Sequence, residues 1–121
     1  MSKSILIVDD DLGVCSALAM VFREEGYLVY EVTSSVEAIL TIKKDKYDVY
    51  LFDYKMKGSN GIDLLKIVKA LNPQSPVFII SGMLNINELC AKEIKSGLIA
   101  GVISKPFDVN ILLQKVAASI E

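Results

Sequence analysis

The chain has no histidine. A phosphohistidine on this protein is thereby excluded, and a serine nucleophile has no imidazole to serve as its general base. Cysteine is scarce: Cys15 and Cys90 are the only two, and neither has a second cysteine nearby to make a redox pair or a zinc motif. Both fall in helical patterns and read as small buried hydrophobes. No apolar segment approaches the roughly 18 residues needed to cross a bilayer, and the N-terminal residues pass directly into a strand pattern without a signal-peptide cleavage region. A soluble, cytoplasmic protein with no membrane association is expected. Charge of one sign is not in excess either. The 13 Lys+Arg against 15 Asp+Glu leave a net charge of −2, which provides no electrostatic footprint for nucleic acid. Internal repeats, low-complexity tracts and linkers are absent as well.

What the chain does have is apolar content. At 121 residues and 52% hydrophobic, it can bury a sizeable core without staples, and residues 1–121 are expected to form one domain with no output domain among them. Strand-like runs at about 4–9, 27–32, 48–53, 76–81 and 100–104 alternate with helical patterns, and this alternation points to βαβ units around a five-stranded parallel sheet covered on both faces. The first helix shows Val14, Leu18, Val21 and Phe22 at helical spacing before Gly26. Ser34 with Glu37 makes a capping box for the second, and Asp108 an N-cap for the fifth, which carries Val109, Leu112, Leu113, Val116 and Ile120. The third follows Gly61 with Leu64, Leu65, Val68 and Leu71 inward and stops at Asn72-Pro73. In the fourth, Asn85 and Glu88 can cap, but Ile86, Leu89, Cys90 and Ile94 are interleaved with Lys92, Glu93 and Lys95. That narrow stripe predicts a poorly anchored helix.

Four of the apolar runs end in chemically distinct polar groups: SILIV in Asp9 and Asp10, VYLF in Asp53, PVFII in Ser81, and GVIS in Lys105. In open parallel sheets the ligand sits beyond the carboxyl ends of the strands, so these residues would converge on one edge. With strand order 2-1-3-4-5, the first and third runs are neighbours and bring three carboxylates together. Such a group is self-repelling unless a cation joins it, and hard oxygen donors with an open approach suit Mg2+. A lysine and a hydroxyl beside that ion are suited to neutralising a phosphoryl group. Asp53 is the better nucleophile, because a carboxylate is ionised at neutral pH and needs no base. Phosphoryl transfer through an aspartyl phosphate is the leading chemistry.

Taken singly, each residue has an ordinary reading: Asp10 or Asp11 could cap the first helix, and Ser81 could turn the chain before Gly82. Their joint placement at the strand ends favours a site. With Asp9-Asp10, Asp53, Ser81 and Lys105-Pro106-Phe107 in order, and with Met56 and Gly61 at matching separations after Asp53, the chain resembles the receiver domain of bacterial two-component response regulators along essentially its whole length. The resemblance implies a flavodoxin-like (βα)5 fold and a phosphoryl group accepted on Asp53 from the phosphohistidine of a sensor histidine kinase or phosphotransfer protein. It also implies a switch read by an output domain or downstream protein on the face of the fourth helix, fifth strand and fifth helix, where a phosphorylation-dependent homodimer could also form. By the same resemblance Asp9, Asp10, Asp53 and the backbone carbonyl of Lys55 are the Mg2+ ligands, Ser81 and Lys105 contact the phosphoryl group, and the Lys105-Pro106 bond is cis.

Two positions depart from the family pattern. Val102 stands where an aromatic residue is usual, and Lys57 replaces a common proline. Val102 gives some credit to a receiver-fold interaction module that switches without phosphorylation. A haloacid-dehalogenase-like phosphatase would carry a second aspartate two residues after its nucleophile, where this chain has Lys55. A signal receiver is therefore expected, rather than an enzyme turning over an external substrate.

Overall fold

Alternation with period two sends successive strand side chains to opposite faces of a sheet. In the computed structural model, which describes residues 2–121 and leaves Met1 outside the described residues, that alternation builds one hydrophobic cluster on each side. The elements run β1 (Ser4–Val8), α1 (Leu12–Glu24), β2 (Leu28–Val32), α2 (Ser35–Lys44), β3 (Val49–Asp53), β4 (Lys55–Met56), β5 (Ser59–Asn60), α3 (Gly61–Leu71), β6 (Val77–Ser81), α4 (Ile86–Leu89), α5 (Ala91–Lys95), β7 (Gly101–Ser104) and α6 (Val109–Ser119). The main sheet has the order β2-β1-β3-β6-β7 with every pair parallel. This is the expected 2-1-3-4-5, because β4 and β5 pair only with each other as an antiparallel hairpin.

Leu6, Val8, Tyr50, Phe52, Val77 and Ile79 face the cluster closed by α2, α3 and α4, while Ile5, Ile7, Val49, Leu51, Phe78 and Ile80 face the one closed by α1 and α6. All twelve are buried. At roughly 1.5–3 kcal/mol for each large apolar side chain removed from water, this two-sided burial is what holds the central strands in register. Helix entry is set by short side chains, as expected at Asp108, whose oxygen accepts from the Ile111 N–H at 3.0 Å. At Ser34 only half of the expected capping box forms: its oxygen accepts from the Glu37 N–H at 3.1 Å, while the Glu37 side chain makes no return bond. Asp11 caps α1 through the Val14 N–H at 3.1 Å.

Several local expectations are corrected. The single fourth helix is two short ones, α4 and α5, and Asn85 makes no side-chain cap. Only Ile86 and Cys90 of its stripe are buried, leaving Leu89 and Ile94 42% and 39% exposed. Two apolar contacts do not commit a whole amphipathic face, and the helix breaks at Cys90, between α4 and α5. Leu71 and Val109 are exposed rather than inward, because each lies at a helix end beyond the reach of the sheet. In α1, Cys15 and Ala19 take core places beside Leu18 and Phe22, with Val14 and Val21 half-buried at the margin. The β4–β5 hairpin has no counterpart in the sequence reading.

Gly61 opens α3 against the site-bearing strand. A Cβ at this position would stand 2.9 Å from the Asp53 carbonyl oxygen and 3.0 Å from the Ile79 side chain. The Gly61 N–H donates to the Tyr54 carbonyl at 2.8 Å in the same contact, so the backbone has little freedom to retreat. Gly61→Ala should therefore lower stability by about 1–3 kcal/mol. Urea unfolding measures this, and an unchanged midpoint would refute the close-approach argument.

Candidate functional site

Strand register carries the polar termini to one edge. Val8 lies opposite Phe52, so the next residues, Asp9 and Asp53, leave the sheet side by side. Asp53 is opposite Ile80 and Ser81 is opposite Ser104, which places Ser81 and Lys105 one step further along the same edge. The six residues expected at the site thus divide. Asp9, Asp53 and Lys105 are in direct contact, Asp10 lies beside them, Ser81 is adjacent but bonded elsewhere, and Lys55 begins the hairpin with its side chain exposed. The Lys105-Pro106 bond is cis.

The Lys105 ammonium donates to Asp9 Oδ2 at 3.0 Å and to Asp53 Oδ1 at 3.2 Å. Asp9 is fully buried, and its other oxygen accepts the Asp11 N–H at 2.9 Å. Asp10 is half-buried and accepts the backbone N–H of Lys57 at 3.1 Å. Ser81 is 3% exposed, and its hydroxyl oxygen accepts the Met83 N–H at 3.0 Å, the turn-forming role weighed for it as an ordinary residue. Two contacts that organise this edge left no mark in the sequence: the Lys57 N–H on Asp10, and the Ser35 hydroxyl donating to the Lys57 carbonyl at 3.1 Å. Both link residues far apart in the chain, and neither residue type advertises such a bond.

One ammonium cannot balance three carboxylates. Burial, then the neighbouring charge of Asp9, raises the Asp53 pKa from 3.8 to about 6, against the opposing pull of Lys105. For Lys105 itself, burial pushes the pKa down, but the hydrogen bond to Asp9 and the charges of Asp53 and Asp9 outweigh it and leave the ammonium more firmly protonated than usual. Asp9, Asp10 and Asp53 each offer a carboxylate oxygen within 4.8 Å of the others. An uncompensated cluster of hard oxygen donors fits a divalent cation of the Mg2+ or Ca2+ kind.

A sequence model of the response regulator receiver domain matches residues 5–117. The chain belongs to that family. The receiver domain is 31% identical over 110 residues to sporulation initiation phosphotransferase F of Bacillus subtilis, covering 91% of this chain and 87% of that protein. It is 35% identical over 108 residues to the transcriptional regulatory protein ZraR of Escherichia coli, covering 89% of this chain but only 24% of ZraR. The chain thus spans about a quarter of the length of that relative. Among solved structures, the receiver domain is similar to a CheY-like response regulator receiver domain protein from Methanospirillum hungatei, with a TM-score of 0.90, 27% identity, and coverage of 99% of this chain and 94% of that one. Membership assigns the receiver domain to phosphorylation-based two-component signalling. Among the described residues, no helix is long and apolar enough to cross a membrane.

The raised pKa of Asp53 has a stability consequence of definite sign. The folded chain holds this proton up to about pH 6, whereas the unfolded chain releases it near 3.8, so the stability conferred by protonation is complete below 3.8 and lost as pH rises through 6. Asp53→Asn carries no such penalty. Without divalent cations it should be more stable than the parent chain at pH 7, by about 1–3 kcal/mol, with the gap closing toward pH 4. Urea unfolding of both proteins at the two pH values tests this, and a gap that opens toward acid would contradict it.

Proposed function

We propose that this receiver domain accepts a phosphoryl group on Asp53 from the phosphohistidine of a sensor histidine kinase or phosphotransfer protein, with Mg2+ as cofactor. The observation that carries this reading is the contact of Lys105 with both Asp9 and Asp53 in an acidic cluster that remains under-neutralised. Asp9, Asp10, Asp53 and the backbone carbonyl of Lys55 would hold the ion. When bound, Mg2+ supplies positive charge that keeps Asp53 ionised at neutral pH and offsets the phosphoryl oxygens.

The remaining steps belong to the chain itself. A carboxylate oxygen of Asp53 attacks phosphorus in line, the new O–P bond forms as the donor's N–P bond breaks, and the electron pair leaves with the donor's imidazole. Lys105 exchanges its contact with Asp53 for one with a phosphoryl oxygen, and so stabilises the charge spread over that group. Ser81 turns its hydroxyl from the Met83 N–H to donate to another phosphoryl oxygen. Lys105 already touches Asp53 and Ser81 ends the strand next to that of Asp53, which supports movements of side chains without a change in the sheet.

We read residues 1–121 as a single signal receiver whose output passes through the face made by α4, α5, β7 and α6, and not as an enzyme with an external substrate. Val102 is half-buried on β7 against the α2–α3 cluster, so a side chain smaller than an aromatic fills the place beside that face. The short α4 and α5, with few buried contacts, are the elements of this surface least costly to rearrange.

Incubation with acetyl phosphate and Mg2+, read by intact mass, should add one phosphoryl group, and Asp53→Asn should abolish the gain. No gain on the folded, Mg2+-supplied chain would overturn this reading. The exposed Lys55 and Lys57 flank the acceptor through the β4–β5 hairpin, and their positive charge should alter the lifetime of the acyl phosphate. Replacing either by alanine should change the dephosphorylation rate by about two- to fivefold, from loss of one exposed charge near the reacting group; equal rates in both variants would refute the effect.

A further inference from the structure

The β4–β5 hairpin has strands of only two residues each, too short to be stable alone. Met56 is its buried anchor, while Lys57 and Gly58 at the turn are exposed, and Gly58 takes a φ of 76°, in the left-handed region. The turn is nevertheless gripped on both sides of the Lys57 Cα. The Lys57 N–H donates to Asp10 Oδ2 at 3.1 Å, and the Lys57 carbonyl accepts from Ser35 Oγ at 3.1 Å. Ser35 is 8% exposed. It does not cap α2, since Ser34 does that, and its bond crosses 22 residues of sequence to reach the turn. A Cβ on Gly58 would meet the Ser35 hydroxyl at 3.8 Å, so Ser35 sits directly against the turn.

We infer that Ser35 is a positioning residue for the cation site, holding the Lys57 carbonyl so that the hairpin keeps the Lys57 N–H on Asp10, a carboxylate of the acidic cluster. The inference rests on the cation reading above. Groups one step behind metal ligands orient those ligands and tune affinity, and here the bond runs from the start of α2 through one residue to a carboxylate of the cluster. Without the Ser35 hydroxyl, Asp10 is left to hold the turn and to bind the ion with the same carboxylate.

The test is an amide NMR titration of the full chain with MgCl2 at constant ionic strength, together with amide exchange of Lys57 before Mg2+ is added. Ser35→Ala should bind Mg2+ about three- to tenfold more weakly, at or below the lower end for such outer contacts, and its Lys57 amide should exchange faster. Ser35→Thr, which keeps the hydroxyl, should bind within about twofold of the parent chain. Thr41→Ala removes a bond internal to α2, from Thr41 Oγ1 to the Glu37 carbonyl at 2.8 Å, and should leave the affinity unchanged. If Ser35→Ala does not fold, Ser35→Cys, whose thiol is a weak donor, carries the same expectation. Equal affinity in Ser35→Ala and the parent chain overturns the inference, as does equal weakening by Ser35→Ala and Thr41→Ala. A parent chain that takes up no Mg2+ overturns the cation reading itself, and this inference with it.

Discussion

Everything at the functional edge depends on one ammonium group placed between two carboxylates from different strands. Lys105 reaches Asp9 at 3.0 Å and Asp53 at 3.2 Å. Like charges within 4.8 Å of each other repel by about 3–4 kcal/mol at an effective dielectric of 20, and here burial leaves water little room to screen them. The lysine relieves that repulsion only in part. The residue of the conflict appears in the Asp53 carboxyl, still raised to about 6, and that imbalance gives the site its appetite for further positive charge.

The sheet can carry such a conflict because its interior is apolar throughout. The central strands bury side chains on both faces, and the polar residues begin where the apolar runs stop. Register fixes the edge: Val8 opposite Phe52 places Asp9 beside Asp53, and Ser81 opposite Ser104 brings Lys105 in from the far side. Stability is thus concentrated in the middle of the sheet and reactivity at its rim. The elements that border the rim, the β4–β5 hairpin and the short α4 and α5, have few buried contacts, so they can respond to what binds there without loosening the core.

The strands were legible because a strand buried on both faces must be apolar without interruption, and SILIV, VYLF and PVFII satisfy that over their own lengths. Asp108 and Ser34 were legible as caps because a cap is a bond between near neighbours. The fourth helix was legible only as a weakness. Its stripe of Ile86, Leu89, Cys90 and Ile94 fits a helix, yet two of the four stay exposed, and no local pattern reports whether a neighbouring element will be there to cover a side chain. The hairpin failed for a related reason: it is held by Asp10 and Ser35, each more than 20 residues from Lys57 along the chain.

The amino-acid order by itself determined the fold class, the positions of the five sheet strands, and the kinds of group that end them, because burial, periodicity and turn chemistry act over a few residues at a time. It also excluded a phosphohistidine on this chain, since there is no histidine to carry one. Only the tertiary structure decided that Lys105 bridges Asp9 and Asp53, that burial and Asp9 push the Asp53 pKa upward, that Ser81 is turned to Met83, and that Ser35 stands behind Lys57. These are matters of distance and dielectric between residues remote in sequence, and they exist only once the strands are in register and water has been excluded from between them.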